Sequence, residues 1–158
     1  MIAANALVKK LGKRSVNIAL AESITCGLAT SKLGVYKGVA SILAGSVVCY
    51  TPEVKAGLLK VRKSTMDEYT CESQEVTDEL AQNLASVIEA ELHAAITGLA
   101  SAGGSETKEK PVGTVFFSIF YKDQLYRERR LFRGTPSEIR EKACNFLYNF
   151  ISEVVDEN

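Results

Sequence analysis

Tryptophan is absent from the 158 residues, and histidine occurs once, as His93. A lone histidine opening a strand-like run disfavours both histidine-based catalytic triads and metal sites built from several imidazoles, so any acid–base chemistry here needs another base. Charge of one sign is also missing. Lysine plus arginine and aspartate plus glutamate each total 19, for a formal net charge of +0. No basic field draws in nucleic acid, and no acidic tail is present. The four cysteines, Cys26, Cys49, Cys71 and Cys144, are widely spaced and form no C-x-x-C pair. They read as reduced thiols in a cytoplasmic protein, with no zinc site. No apolar run reaches membrane-spanning length, and the N-terminal MIAANALVKKLGKR is amphipathic without a cleavage pattern. No metal, cofactor or membrane contact is expected.

What is present is an alternation of apolar stretches and helical stripes that fits one domain over residues 1–158. Ile2, Leu7, Val8 and Leu11 lie at helical spacing and predict a first helix ending near Gly12. A strand follows at 16–22, then a helix at about 24–33. Ile42 to Tyr50 reads as a second buried strand, with Gly45 and Ser46 marking a bulge or close packing. Thr51-Pro52-Glu53 carries the cap, proline and acid of a short helix start. A single helical turn at 64–69 precedes a long helix capped by Ser73, with Val76, Leu80, Leu84, Val87, Ile88 and Leu92 as its apolar stripe. His93 to Leu99 is a buried strand. The loop from Ala100 to Pro111 is glycine-rich and then charged, and loops of this length inside a domain are usually functional or mobile. Val112–Tyr121 and Gln124–Phe132 form a hairpin about Lys122-Asp123, suited to a sheet edge, and a final helix starts at Gly134 to Glu138. The order predicts a three-layer α/β/α domain with a mixed sheet. The hairpin edge and apolar helices also fit a homo-oligomer.

Three loops follow apolar strands where ligand sites of open sheets lie: Glu22 to Gly27, Tyr50 to Lys55, and Thr97 to Gly104. In the first, the apolar run Ile18 to Ala21 stops at Glu22-Ser23 and a small-residue helix begins, with Ser23 or Thr25 able to cap it and Gly27 keeping the turn open. Such a helix start attracts anions, although a plain capped helix after a core strand is the simpler reading of that stretch alone. Ser23, Thr25, Ser41, Ser46, Tyr50, Lys55 and Thr97 gather at or near these loops. A serine without histidine can use a lysine as base when burial keeps the amine neutral, with backbone N–H groups holding the oxyanion. Lys55 fits that role, and a solvated helix lysine is the bland alternative. Ser101 to Ser105 could cradle a phosphate or simply be flexible.

Taken in order, AESITCGLATSKL, VVCYTPEVKAGLLKV, SQEVTDELAQN, AITGLASAGGSETKEKPVGTVFFSI and FRGTPSEIREKA resemble the landmarks of the C-terminal domain of the CinA competence/damage-inducible family, over about residues 3 to 151. The resemblance implies a three-layer α/β domain. It also implies hydrolysis of the carboxamide of nicotinamide mononucleotide, giving nicotinate mononucleotide and ammonia, by a metal-independent serine/lysine mechanism. Carried over by motif, Lys55 falls on the catalytic lysine, Ser23, Thr25 and Gly27 on AES-x-TGG, and Tyr50 on the strand-end tyrosine. Thr97, Gly98, Gly103 and Gly104 fall on the glycine-rich loop, Lys110, Pro111 and Gly113 on EKPVGTV, and Arg140 on a late arginine. Some positions depart from the pattern. Gly38-Val39-Ala40 stands where a G-x-S turn supplies a nucleophile, leaving Ser41 one place late. Cys26 replaces the first glycine of TGG, and Pro136 replaces an arginine of G-D-R. The nucleophile is therefore Ser41 or Ser23. The implied activities are amide hydrolysis of the mononucleotide or, if the departures remove catalysis, binding of a nucleotide-like small molecule without hydrolysis.

Overall fold

The computed structural model of the chain describes residues 2–158, the side chain of Ile2 excepted, so the place given to Ile2 on the first apolar stripe lies outside the described residues. The elements are α1 (Ile2–Arg14), β1 (Ile18–Glu22), α2 (Leu28–Gly34), a 3-10 turn (Val39–Ser41) and β2 (Leu43–Val48). They continue with α3 (Pro52–Gly57), α4 (Lys63–Tyr69), α5 (Gln74–Leu84), β3 (Leu92–Gly98), β4 (Thr114–Tyr121), β5 (Gln124–Leu131) and α6 (Pro136–Asp156).

The five strands form one mixed sheet in the order β2-β1-β3-β4-β5. β1 lies parallel to both β2 and β3, with Leu20 beside Ser46 on one side and Ala94 on the other. β3, β4 and β5 are antiparallel. The apolar runs of β1 and β3 suit central strands, which bury both faces. On one face Leu7, Leu11, Leu33, Phe117, Leu147 and Ile151 join α1, α2 and α6 to the sheet. On the other, Leu59, Val76, Leu80 and Leu84 pack α5 and the end of α3 against Ala19, Ala21 and Ala95. The small side chains of β1 on this second face let α5 approach closely. The architecture is the expected three-layer α/β/α arrangement.

Several boundaries differ from expectation, each for a local reason. α1 runs through Gly12 to Arg14 and is closed by Ser15, at φ 54, whose amide donates to Gly12 O. α2 starts only at Leu28, because Cys26 and Gly27 take left-handed φ values of 51 and 92 and turn the chain first. β2 is an edge strand with most residues half-buried or exposed, not a buried one. Its register slips between Ile18/Leu43 and Ala19/Gly45, so a bulge falls at Ala44, next to the glycine that marked it. α5 ends at Leu84, well short of the long stripe; Val87 is exposed and Leu92 belongs to β3. The hairpin turn has Lys122 and Asp123 at φ 50 and 60, the pair of positive values a two-residue turn of matching twist requires. The outer strand β5 carries Arg127, Glu128, Arg129 and Arg130, charges that blunt an open edge. The α6 start has the full capping box, with Thr135 Oγ1 accepting from the Glu138 amide and Glu138 accepting from the Thr135 amide at 2.7 Å.

Phe117 is fully buried between sheet and α6, with ring centroids 4.8 Å from Phe146 and 6.4 Å from Phe132. Replacing it by alanine deletes the centre of this cluster, and Phe117→Ala is expected to cost about 3–5 kcal/mol. Urea unfolding should show this as a lower midpoint with an unchanged slope.

Candidate active site

The parallel strands β1, β2 and β3 all end on the same side of the sheet, and the three candidate loops emerge there. β1 stops because Ser23 makes a last pairing, its amide donating to Ile96 O at 3.0 Å, after which the chain turns at 24–27. Glu22 is fully buried, and its carboxylate closes that turn from inside. It accepts from the amides of Gly27 (3.0 Å), Ala29 (3.1 Å) and Thr30 (2.8 Å). It also accepts from the hydroxyls of Thr25 (2.6 Å) and Thr30 (2.5 Å). The helix start expected to attract an external anion therefore already holds an internal one. Thr25 and Gly27, expected in substrate binding, are spent on this carboxylate, and Thr25 is only 1% exposed.

Ser23, one residue on, is itself buried and lines a cleft. Lys55 stands behind it with Nζ 3.0 Å from Ser23 Oγ, 2.6 Å from Cys49 O and 3.2 Å from Tyr50 O. α3 positions the lysine. Thr51 accepts from the Val54 amide and Pro52 occupies the first turn, so the chain leaving β2 folds back and directs Lys55 inward. The lysine is 0% exposed, whereas most lysines are solvated, and no ion pair among the described residues includes it. Its partners are one hydroxyl and two carbonyls. A neutral amine has two N–H donors and one lone pair. In that form the two carbonyls would take both donors and leave the lone pair toward the serine hydroxyl; with three N–H donors the lysine instead donates to all three partners.

Ser23 opens onto a cleft of about 210 Å³ lined also by Ile24, Tyr50, Glu72, Arg140 and the stretch from Gly98 to Gly104. The structure thus brings together Ser23, Lys55, Tyr50, Gly98, Gly103, Gly104 and Arg140. Gly98 must be glycine, since a Cβ there would lie 2.6 Å from Thr114 O and 2.9 Å from Val115 Cα. Gly103 and Gly104 donate their amides to the Glu106 carboxylate at 2.7 and 2.8 Å, so this loop too is closed by an acid of its own. Those amides hold the Glu106 carboxyl below the usual carboxylate range. Arg140 donates through Nε to Ile24 O at 2.8 Å, leaving its four other N–H donors without a partner among the described residues. The amides of Ile24, Ala100 and Ser101, which all line the cleft, likewise have no acceptor among the described residues.

Two expected site residues lie elsewhere. Thr97 is fully buried, its hydroxyl 2.8 Å from that of Thr77 on α5. Ser41 sits before β2, where Ile42 O accepts from the Ile18 amide, while the cleft lies beyond the far end of the same strand pair at Glu22/Val48. Five strand residues span about 16 Å. Ser41 is exposed and donates to Gly38 O at 2.8 Å, so neither it nor Ala40 reaches Lys55. Glu22 and Glu72 were missed. An acid directly after a four-residue apolar run and before a helix start is a readable signal for the first; Glu72 has none.

Burial pushes the thiol of Cys49, beside the lysine, up to about 11 despite the opposing charge of Lys55, and that of Cys144 up to about 12. Among the described residues no cluster of three or more histidine, cysteine or acidic side chains could hold a metal ion. No helix among them is long and apolar enough to cross a membrane.

The fold and cleft define a class, an α/β/α domain with a serine backed by a buried lysine at the ends of its parallel strands. Residues 2–155 match the family described as CinA C-terminal domain, and the chain belongs to that family. It is 34% identical over 145 residues, 92% of the chain, to a competence-damage inducible protein of Clostridioides difficile. It is also 34% identical over 149 residues, 93% of the chain, to a CinA-like protein of Thermosipho melanesiensis. The chain spans about a third of the length of these relatives, 34% of the first and 36% of the second. Among solved structures, a CinA superfamily protein of Escherichia coli superposes with TM-score 0.90 at 26% identity, covering 96% of this chain and 88% of that one. A Klebsiella pneumoniae superfamily member, at 24% identity and TM-score 0.94, covers 99% and 98% and shows the shared fold.

Two measurements check the geometry. Glu22→Ala leaves three amides, that of Ala29 buried, and two hydroxyls without their acceptor and should destabilise the fold by about 3 kcal/mol, with Glu22→Gln recovering part of it; thermal unfolding reads both. In the native protein a thiol reagent should modify exposed Cys26 first and leave Cys49 and Cys144 unreacted until denaturant is added.

Proposed function

We propose that this domain is an amidohydrolase that converts nicotinamide mononucleotide to nicotinate mononucleotide and ammonia by a serine/lysine mechanism. The observation that carries the reading is the 3.0 Å approach of fully buried Lys55 Nζ to Ser23 Oγ at the floor of the cleft. Family membership supports it. Lys55 takes the proton of Ser23 as Oγ attacks the carboxamide carbon, forming the C–O bond and a tetrahedral oxyanion. Amides lining the cleft, that of Ile24 directly after the nucleophile and those of Ala100 and Ser101, are available to hold that oxyanion. The proton on Lys55 passes to the departing nitrogen and ammonia leaves. Water, giving its proton to Lys55, then attacks the acyl-serine ester, and that proton passes from Lys55 to Ser23 Oγ as the C–O bond breaks and the acid product leaves. Arg140, with four unspent N–H donors, is suited to the phosphate.

Within this reading Ser23 is the nucleophile and Ser41 has no part, so the Ala40 departure leaves the chemistry intact. Pro136, standing at the first turn of α6 in place of an arginine, bears on binding instead: it removes one cation from the phosphate side. This departure favours the alternative, binding without turnover, which calorimetry with nicotinamide mononucleotide would reveal as saturable heat without product.

Ammonia release from nicotinamide mononucleotide tests the proposal. Ser23→Ala and Lys55→Ala should each lower the rate by about 1,000-fold or more, whereas Ser41→Ala should match the unmodified protein. Release no faster than that of Lys55→Ala rejects hydrolysis of this substrate.

A further inference from the structure

The cleft carries an acid as well as a base. Glu72, between α4 and α5, lines it together with Ser23, Tyr50 and Arg140. A connected set of bonds holds this residue in place. The Ser105 hydroxyl donates to the Glu72 carboxylate. Lys110 Nζ reaches Ser105 Oγ at 3.0 Å, Glu72 O at 2.8 Å and Thr70 Oγ1 at 2.7 Å. Yet no ion pair among the described residues includes the Glu72 carboxylate. The neighbouring Cys71 thiol is raised by burial, lowered by Lys55 and raised by Glu72.

Tyr50 completes the picture. The residue is 59% exposed and brings an aromatic ring to the same cleft. The Glu72 carboxylate is in no ion pair, although Lys110 couples to it by charge and through Ser105; with that ammonium tied to Thr70, Ser105 and the Glu72 carbonyl, a carboxylate and an exposed tyrosine ring on one cleft favour a flat cation. Arg140, with donors to spare, favours an anion on the same ligand. The matching ligand is zwitterionic, with a cationic aromatic ring and a phosphate. A ring carrying the scissile amide must also approach Ser23, and therefore Lys55, where a compensating negative charge is most useful.

We infer that Glu72 is a specificity residue that selects the positively charged, oxidised pyridinium ring over its uncharged dihydropyridine form. The inference rests on the pyridine-mononucleotide reading above. The two forms share the carboxamide, the ribose and the phosphate and differ chiefly in ring charge. A full charge within several ångströms of a carboxylate at a partly solvated site is worth about tenfold in affinity.

The test is calorimetry on the full chain carrying Ser23→Ala, which holds off turnover, with nicotinamide mononucleotide and its reduced form as probes. The oxidised form should bind about tenfold more tightly. Adding Glu72→Gln should weaken the oxidised form alone and bring the two affinities together, and Glu72→Asp should restore part of the preference. Ser105→Ala, which loosens the loop and keeps the carboxylate, should affect both forms alike and preserve their ratio. Equal binding of both forms before any change at Glu72, or an equal loss of both in Glu72→Gln, overturns the inference while leaving the function reading in place. Binding of neither form removes the pyridine-mononucleotide reading and the inference with it.

Discussion

The site depends first on a carboxylate that never touches a ligand. Glu22 is buried at the junction of the central strand β1 and the turn into α2, where five donors converge on it. Without it, the amides of Gly27, Ala29 and Thr30 and the hydroxyls of Thr25 and Thr30 would lose their acceptor, those of Ala29 and Thr25 inside the core. With it, the turn from Ser23 to Gly27 is rigid, and the side chain after Glu22 is held at the cleft. The alternation of a strand does the rest: Glu22 points into the protein while Ser23 points toward the cleft.

Lys55 is positioned with similar economy. Its helix is six residues long, too short to stand alone, and owes its direction to Thr51, Pro52 and the burial of Leu59 and Val61 just beyond it. The lysine stem crosses the layer beside Cys49, and the amine meets two carbonyls from the turn at the end of β2. Serine directly follows β1 and lysine sits on α3, the short helix that follows the neighbouring parallel strand β2, so their approach is set by where two adjacent strands end. The opposite wall is the less regular part, built from the 98–104 stretch and the 70–72 segment joined through Lys110 and Ser105.

Much of this was legible in the residues. Apolar runs marked the strands, the Thr51-Pro52-Glu53 and Thr135-Pro136-x-Glu138 patterns marked helix starts, and the order of elements gave the layers. Lys55 and Ser23 were legible as members of motifs, but the residues left open whether Ser41 or Ser23 stands beside the lysine, and the contact to Ser23 comes from the geometry alone. Ser41 misled because closeness along the chain to the end of a strand says nothing about which end faces the site. Only the parallel pairing of β1 with β2 puts it some strand length away. Thr97 sits at the correct end, but strand alternation turns its hydroxyl to α5 and leaves only Gly98 at the cleft. The long stripe through Leu92 failed because apolar residues of a helix end and of the next strand's start were in phase by chance. Glu72 lacked any signal, since its importance comes from a loop more than thirty residues away.

The ends of the long loop are stitched to each other. Leu99 donates to Thr114 O, and Gly113 donates to Leu99 O at 2.7 Å; at Gly113 a Cβ would meet Phe132 O at 1.9 Å, as one at Gly98 would meet Thr114 O. Such a closed neck decouples what lies above it from what lies below. Residues 100–112 can change in composition or in length at little cost to the strands, since an added residue alters the closure entropy only slightly. Mutation can therefore remodel the loop wall of the cleft while Ser23 and Lys55, held at the ends of β1 and β2, stay in place, so that the two sides of the cleft are free to evolve on separate schedules.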